Sequence, residues 1–498
     1  MGTSNSGLSE EWTQTGLSTY ERAIDSLERF FIFIASVGQG RPDKQNWHFT
    51  AGLKVETRRS NFAGDVKAAW LASRFQYPVL SAVIENDRWI YRVADEKEQH
   101  SWLQETFHVH DTKRTARQLF PFETNPSTRC VLHVLPQTQE LVIQGPHTHV
   151  DGIGAATFFN HILQFLADPV PTSPPKFGTE AANLTPPCAV VTDVPECTAE
   201  QKKVWDANLQ NFFSQFPTVR VYNENKGARA TTTKVQWITF SPTETSRIAA
   251  RSKELGLSVT SAAQAALSLA ARIHGRVSNT THSTFAIYNA RGYIDESKYP
   301  LSRLVGSNVF SMPAVFPLFP DSFVKTASAA RDVFLSYKEN DVLRATSHFW
   351  ATEIPAALSA PLPPDMPVAA DLQLSSLGVM DKYLGQKYES SSTNKQAAGR
   401  PKIEVHDFWI SLDMFSPNVA VEMWTFRDRL VIELIYNEAY HRDESITALL
   451  GLIRDQFAQG LGLDLGFDVR GAGEEEFLEG SAEREAEVKI PVDSNTLV

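Results

Sequence analysis

The sequence predicts a mixed α/β protein organised as two halves, and three observations predict it. Period-two apolar runs alternate with runs of helical periodicity on both sides of the midpoint. A proline-rich stretch separates them, with Pro169, Pro171, Pro174, Pro175, Pro186 and Pro187 in one short span. A length of 498 residues at 42% hydrophobic content supplies core for two or three domains. The expected organisation is a first domain over 1–168, a Pro-rich linker over 169–200, a second domain over 201–470 and a mobile acidic tail over 471–498.

In the first half, Ser18 and Glu21 have capping-box spacing, and Ile24, Leu27, Phe31 and Ile34 recur at helical intervals. A helix packed on the core is expected over 18–36. Residues 47–56 alternate as a strand and 62–75 are helical. Residues 80–84 and 89–93 are strand-like around Glu85-Asn86-Asp87. Residues 130–135 and 140–143 form a hairpin across Pro136-Gln137-Thr138-Gln139. Ala155, Phe158, Phe159, Ile162, Leu163 and Leu166 then make a helical stripe that Asp168-Pro169 ends.

The second half opens with a helix over 205–216 and a strand over 234–240. Ser241-Pro242-Thr243-Glu244 reads as N-cap, first-turn proline and box-closing acid. Residues 262–273 are apolar almost all round, the mark of a buried helix. A strand over 283–288, an extended stretch over 305–317 and a helix over 323–337 follow. Residues 372–378 read as a strand ending in a small-residue turn, and 389–401 as a polar loop. Strands over 408–414, 419–426 and 430–436 precede a closing helix over 444–459.

Charge and cysteine usage exclude several classes. The net charge of -11 is concentrated near the C-terminus, where Glu474, Glu475, Glu476, Glu479, Glu483, Glu485, Glu487 and Asp493 face only Arg484 and Lys489. A nucleic-acid partner needs a basic footprint, and none is visible. The apolar stretch 30–37 is too short to span a bilayer, so no membrane partner is expected. The polar start lacks a basic n-region and an apolar h-region. Cys130, Cys188 and Cys197 are odd in number and widely spaced, which suggests a reducing compartment and a cytoplasmic location.

The chemical lead is Gln144-Gly145-Pro146-His147-Thr148-His149-Val150-Asp151-Gly152, between a strand-like and a helical run. A neutral histidine is the natural general base near pH 7. Asp151, four residues on, braces the turn that presents it, and Gly152 permits close approach. Two other readings stand beside this one. His147-x-His149-x-Asp151 has the look of a metal cluster, yet Gly152 stands where that motif needs another histidine, and His161, His274 and His282 lack suitable turns. The histidines alternatively do no more than hydrogen-bond a turn. His108, His110 and Asp111 form a second cluster, read as an ordinary polar loop.

The pattern HxxxDG between a strand and a helix resembles the acyltransferase superfamily that holds plant BAHD enzymes and peptide-synthetase condensation domains. Further ordered segments are similar: Leu255-Gly256-Leu257-Ser258-Val259-Thr260 at a helix start, Asn289-Ala290-Arg291, Gly306-Ser307-Asn308-Val309, and Leu374-Ser375-Ser376-Leu377-Gly378. Pro146 replaces the histidine that condensation domains commonly carry before the catalytic one. The DFGWG segment of the plant enzymes is absent; Phe415-Ser416-Pro417-Asn418 occupies that region. The stretch from Tyr20 to Phe30 and the length look similar to fungal trichothecene 15-O-acetyltransferases.

The resemblance implies two chloramphenicol-acetyltransferase-like domains with mixed sheets and a channel between them. It implies His147 as catalytic base, with Asp151, Gly152 and Arg291 supporting its loop. Ser375, Ser376 and Asn308 become candidates for oxyanion or substrate contacts. No metal and no tightly bound cofactor are expected; acyl-CoA, acetyl-CoA in the first instance, is a co-substrate. The partners expected are acyl-CoA and a small hydroxylated acceptor, on a monomeric protein. A condensation-type amide former or cyclase, and a non-catalytic binding module, are the alternatives.

Overall fold

The computed structural model describes residues 10–37, 47–121, 128–168, 176–223, 228–359, 370–389, 403–466 and 468–471. Among these residues four sheets carry the architecture. The largest has six strands in the order Lys387–Tyr388, Ile403–Leu412, His48–Thr57, Glu140–Pro146, Val131–Leu135, Phe107–Val109. Its last pair is parallel and the others antiparallel. A five-stranded sheet runs Leu372–Val379, Val419–Phe426, Arg429–Asn437, Thr233–Thr239, Val469–Gly471, with its first pair parallel. The fold is thus mixed α/β, as the sequence predicts.

Helices cover each large sheet for the reason the periodicity predicts. Phe62–Gln76 and Gly152–Ala167 present Trp70, Phe158, Phe159 and Leu163 to the six-stranded sheet, where they share one core with Leu53, Val142 and Ile143. On the five-stranded sheet lie Pro242–Glu254, Val259–His274 and Asp443–Leu461. The Ala-rich helix Val259–His274 is buried from Ser261 to Ala271, sandwiched between Asp443–Leu461 and Phe323–Ser336. Small side chains let the three helices approach closely. A third core joins the antiparallel pair Thr281–Asn289/Val309–Pro317 to Trp205, Leu343 and Trp350.

The five-stranded sheet has two apolar faces. Val421, Met423, Ile432 and Leu434 point to its own helices. The alternate residues Ala420, Trp424, Val431 and Ile435 belong to the core of the six-stranded sheet. This back-to-back packing, together with strand Ile403–Leu412 crossing to pair with His48–Thr57, ties the two parts of the chain together.

Several local expectations are corrected. Residues 18–36 are not one helix: Thr19–Ala23 is a strand paired with Arg88–Arg92, and the helix is Ser26–Val37. Asp25 and Glu28 form the reciprocal cap, C-terminal to the Ser18/Glu21 pair, while Arg22 is drawn under Trp89 at 4.9 Å. Pro78–Ser81 is a 3-10 turn, leaving a strand only at Val83–Glu85. The helix expected at 205 begins at Ala199, because Thr198 and Gln201 cap it. Within the stretch 305–317 expected to be extended, the strand is Val309–Pro317, since the preceding residues wrap around a buried arginine. His108 lies in the short strand Phe107–Val109 rather than a loop. Residues 169–175 of the expected linker, 390–401 of the expected loop and 472–498 of the expected tail lie outside the described residues. Among the described residues no helix is long and apolar enough to cross a membrane.

Candidate active site

The motif is built where a central strand hands over to a buried helix. Glu140–Pro146 is buried along its length between His48–Thr57 and Val131–Leu135. The chain then turns: the His147 amide donates to the Trp47 carbonyl at 2.8 Å, and the His149 amide to the Pro146 carbonyl at 2.9 Å. Asp151 adopts extended backbone and caps helix Gly152–Ala167, its Oδ1 accepting from the Gly154 amide at 2.6 Å.

The same carboxylate reaches into the second half of the chain. Arg291 donates from Nη1 to Oδ2 and from Nη2 to Oδ1, both at 2.9 Å. The Asn308 amide donates to Oδ2 at 2.9 Å. Each carboxylate oxygen therefore accepts two hydrogen bonds, and the guanidinium also donates to the Leu304 and Gly306 carbonyls. Asp151 and Arg291 are 4% and 5% exposed, so this is a buried, bidentate pair with its lone pairs filled.

His147 stands on the other side of that brace. Its Nδ1 lies 3.0 Å from the Val150 carbonyl, which makes Nδ1 the protonated nitrogen. Nε2, at the opposite edge of the ring, has no hydrogen-bond partner among the described residues. Ser307 Oγ donates to the His147 carbonyl and approaches Nδ1 to 3.5 Å. The ring stacks on Phe31 with centroids 4.5 Å apart and planes 12° apart, and Trp47 and Phe49 close around it. Burial holds the imidazole below its ordinary pKa, against the opposing pull of the Asp151 charge and the Val150 carbonyl. The ring is neutral at pH 7, with the lone pair on Nε2.

His147 lines a cavity of about 780 Å³. Phe31, Trp47 and Phe49 wall it from the first half, and Phe212, Phe285, Phe310 and Trp350 from the second. Ser375 and Ser376 lie in the same wall; Ser376 Oγ is 3.0 Å from Thr260 Oγ1. Asn308 is outside the lining. It is 4% exposed, its side chain donates to the Gly306 carbonyl, and its amide holds Asp151. Gly152 is needed for close approach: a Cβ there would stand 2.3 Å from Leu377 Cδ2.

His149 and His282 are engaged elsewhere. His149 turns into the core, its Nε2 on the Ala82 carbonyl at 3.0 Å and its ring 4.5 Å from Trp89; burial pushes its pKa down to about 4. It does not converge with His147 and Asp151. Among the described residues no group of three or more His, Cys, Asp or Glu could hold a metal ion. Ser268, His282 and Asp371 have the order of a hydrolase triad, at 2.7 and 2.5 Å. Ser268 is 1% exposed inside a helix, out of reach of any acyl group.

Two sets of lining residues escape the sequence reading. Helix Ser26–Val37 was expected only to pack on the core, yet Phe30, Phe31, Phe33 and Ile34 form cavity wall. Its clustered phenylalanines, wider than one helical stripe, were the available signal. Glu422 also lines the cavity. Its signal is a lone acid inside the strand Val419–Phe426, whose other inward residues are apolar.

No family model matches the chain. The acetyltransferase pigO of Monascus ruber is 24% identical over 473 residues, covering 91% of this chain and 98% of that protein. The solved TRI3 trichothecene 15-O-acetyltransferase from Fusarium sporotrichioides superposes with a TM-score of 0.75 at 17% identity, over 90% of this chain and 98% of that one. The condensation domain of the monacolin K polyketide synthase MokA superposes with a TM-score of 0.57 at 12% identity, over 86% and 96%. The chain thus shares its fold with TRI3 and with the MokA condensation domain, and it is similar along nearly its whole length to a fungal acetyltransferase.

Proposed function

We propose that the protein is an acyl-CoA-dependent O-acyltransferase, moving an acetyl group to a hydroxyl of a hydrophobic secondary metabolite such as a terpenoid, with His147 as general base. The carrying observation is the imidazole itself. Its Nδ1–H is held by the Val150 carbonyl, which leaves the Nε2 lone pair for a substrate in an apolar cavity. The acceptor hydroxyl gives its proton to Nε2 as its oxygen bonds to the thioester carbon. The carbon–sulfur bond then breaks, and the thiolate takes the proton from the imidazolium, yielding an ester and free CoA. The thioester is already activated, so no covalent enzyme intermediate is required. Asp151 and Arg291 hold the loop and carry no proton. The activity of TRI3, a trichothecene 15-O-acetyltransferase, supports the acyl class and the acceptor atom.

The test incubates the purified protein with acetyl-CoA and a panel of hydroxylated terpenoids and polyketides, reading esters by mass and CoA by free thiol. One CoA is expected per ester, and none from His147→Ala with an unchanged denaturation midpoint. Near wild-type turnover by His147→Ala overturns the base assignment. Amide products, or product without CoA, favour a condensation-type reaction instead.

A further inference from the structure

On the two central strands of the five-stranded sheet, the face that meets the first half sets two buried acids among apolar residues. Glu422 lies between Ala420 and Trp424 on one strand, and Glu433 between Val431 and Ile435 on the next. They are Cα partners across an antiparallel pair, 4% and 0% exposed. Carboxylates placed opposite each other repel when both are ionised. Glu433 is compensated: Arg117 donates to its Oε2 at 2.6 Å while lying 3.8 Å over the Trp237 ring. Glu422 is not. Its Oε2 is buried without a hydrogen-bond partner among the described residues, and the residue lines the cavity that holds His147. Ser375, its Cα partner on the other neighbouring strand, lines the same wall. A buried polar atom left unpaired is costly, so a carboxyl facing a cavity is a recognition group waiting for its ligand.

We propose that Glu422, with Ser375 beside it, forms a polar subsite that binds a carbonyl or hydroxyl oxygen of the acceptor, apart from the hydroxyl that is acylated. The acceptor's identity as an acyl-group recipient rests on the function proposed above; the subsite's chemistry does not. Burial pushes the Glu422 pKa up to about 8, the Ser375 hydroxyl pulling it down and Glu433 adding to the rise. Arg117 and Asp407 are the other charged groups in this cluster, grouped about Glu433. Glu422 is thus a neutral acid at pH 7 and donates its O–H to the ligand oxygen. An otherwise similar molecule without that oxygen leaves the carboxyl unpaired and is rejected.

The probe is prodan, a solvatochromic aromatic ketone whose emission reports hydrogen bonding to its carbonyl. Fluorescence titration of the full chain at pH 7 compares wild type, Glu422→Gln and Glu422→Leu. Glu422→Gln, which still offers a donor, is expected to bind within about twofold of wild type, and Glu422→Leu about tenfold more weakly with blue-shifted emission. At about pH 9.5 the wild type loses affinity and Glu422→Gln keeps it. Equal affinity and emission for Glu422→Leu and wild type overturn the subsite, as does failure of prodan to bind the wild type. Acetyl transfer is not part of this readout. A protein that shows the Glu422 dependence but transfers no acetyl group keeps the subsite and loses the acyltransferase proposal.

Discussion

Replacing Asp151 by asparagine is the sharpest probe of how the motif is held. Each carboxylate oxygen accepts two donors: the Gly154 amide and Arg291 Nη2 on Oδ1, the Asn308 amide and Arg291 Nη1 on Oδ2. Asparagine keeps one accepting oxygen. Whichever way its amide turns, an NH2 then faces two donors, and the buried Arg291 loses its counter-charge. Breaking one side of a buried pair costs about 3–5 kcal/mol. The Leu304 and Gly306 carbonyls still accept from Arg291 Nη2, which sets the expectation at about 3 kcal/mol, the lower end. Urea denaturation followed by tryptophan fluorescence and circular dichroism measures it. Turnover should fall with stability, since Nε2 is aimed by the loop that Asp151 anchors. A loss below about 1 kcal/mol, or full activity in Asp151→Asn, would refute the brace.

Three further outcomes are expected. The acid limb of the kcat/KM profile should fall on the acid side of the ordinary histidine pKa: burial lowers the His147 pKa, so the basic form persists to lower pH. A limb above pH 7 would count against His147 as the titrating base. Gly154→Ala should destabilise more than Gly152→Ala, because the first Cβ would meet the Val305 backbone carbonyl at 1.9 Å and the second a rotatable Leu377 methyl at 2.3 Å; thermal melts showing the reverse order would undo this reasoning. His149→Leu should lower stability by about 1–3 kcal/mol by stranding the Ala82 carbonyl, with kcat within about twofold of wild type; steady-state kinetics with a large kcat loss would return His149 to the site.

Much of the fold is legible wherever one signal dominates. The capping box at Ser241–Glu244 and the all-round apolar run after Ser258 mark helices Pro242–Glu254 and Val259–His274 to within a few residues. The strand at Val419–Phe426 coincides with the strand-like run expected there. Misreadings fall where tertiary partners compete with local pattern. Residues 18–23 carry a capping spacing, but pairing with Arg88–Arg92 draws them into a sheet. The strand within the extended stretch 305–317 begins only at Val309, because backbone groups of residues 304–308 are spent on Arg291 and Asp151. Which halves share a sheet is invisible in one sequence, because register between Ile403–Leu412 and His48–Thr57 depends on side chains some 350 residues apart. The same holds for the cavity, whose walls come from segments that no local periodicity relates.

The buried Asp151–Arg291 pair also bears on why the motif has its form. A buried ion pair is weak evidence for stability, since apolar residues of similar volume often serve as well. What apolar packing does not supply is direction. Asp151 is at once a helix cap, a partner for Arg291 and an acceptor for the Asn308 amide, so it fixes the helix start against the residues that precede Val309–Pro317. Ser307, the neighbour of Asn308, then reaches the His147 carbonyl. The turn carrying the imidazole is pinned from within by Val150 and from across the molecule by residues 291–308. HxxxDG is therefore the local half of an arrangement completed by the other part of the chain. The motif alone specifies which side chains are present; the distant arginine and the Ser307-Asn308 pair set where the lone pair of Nε2 is aimed.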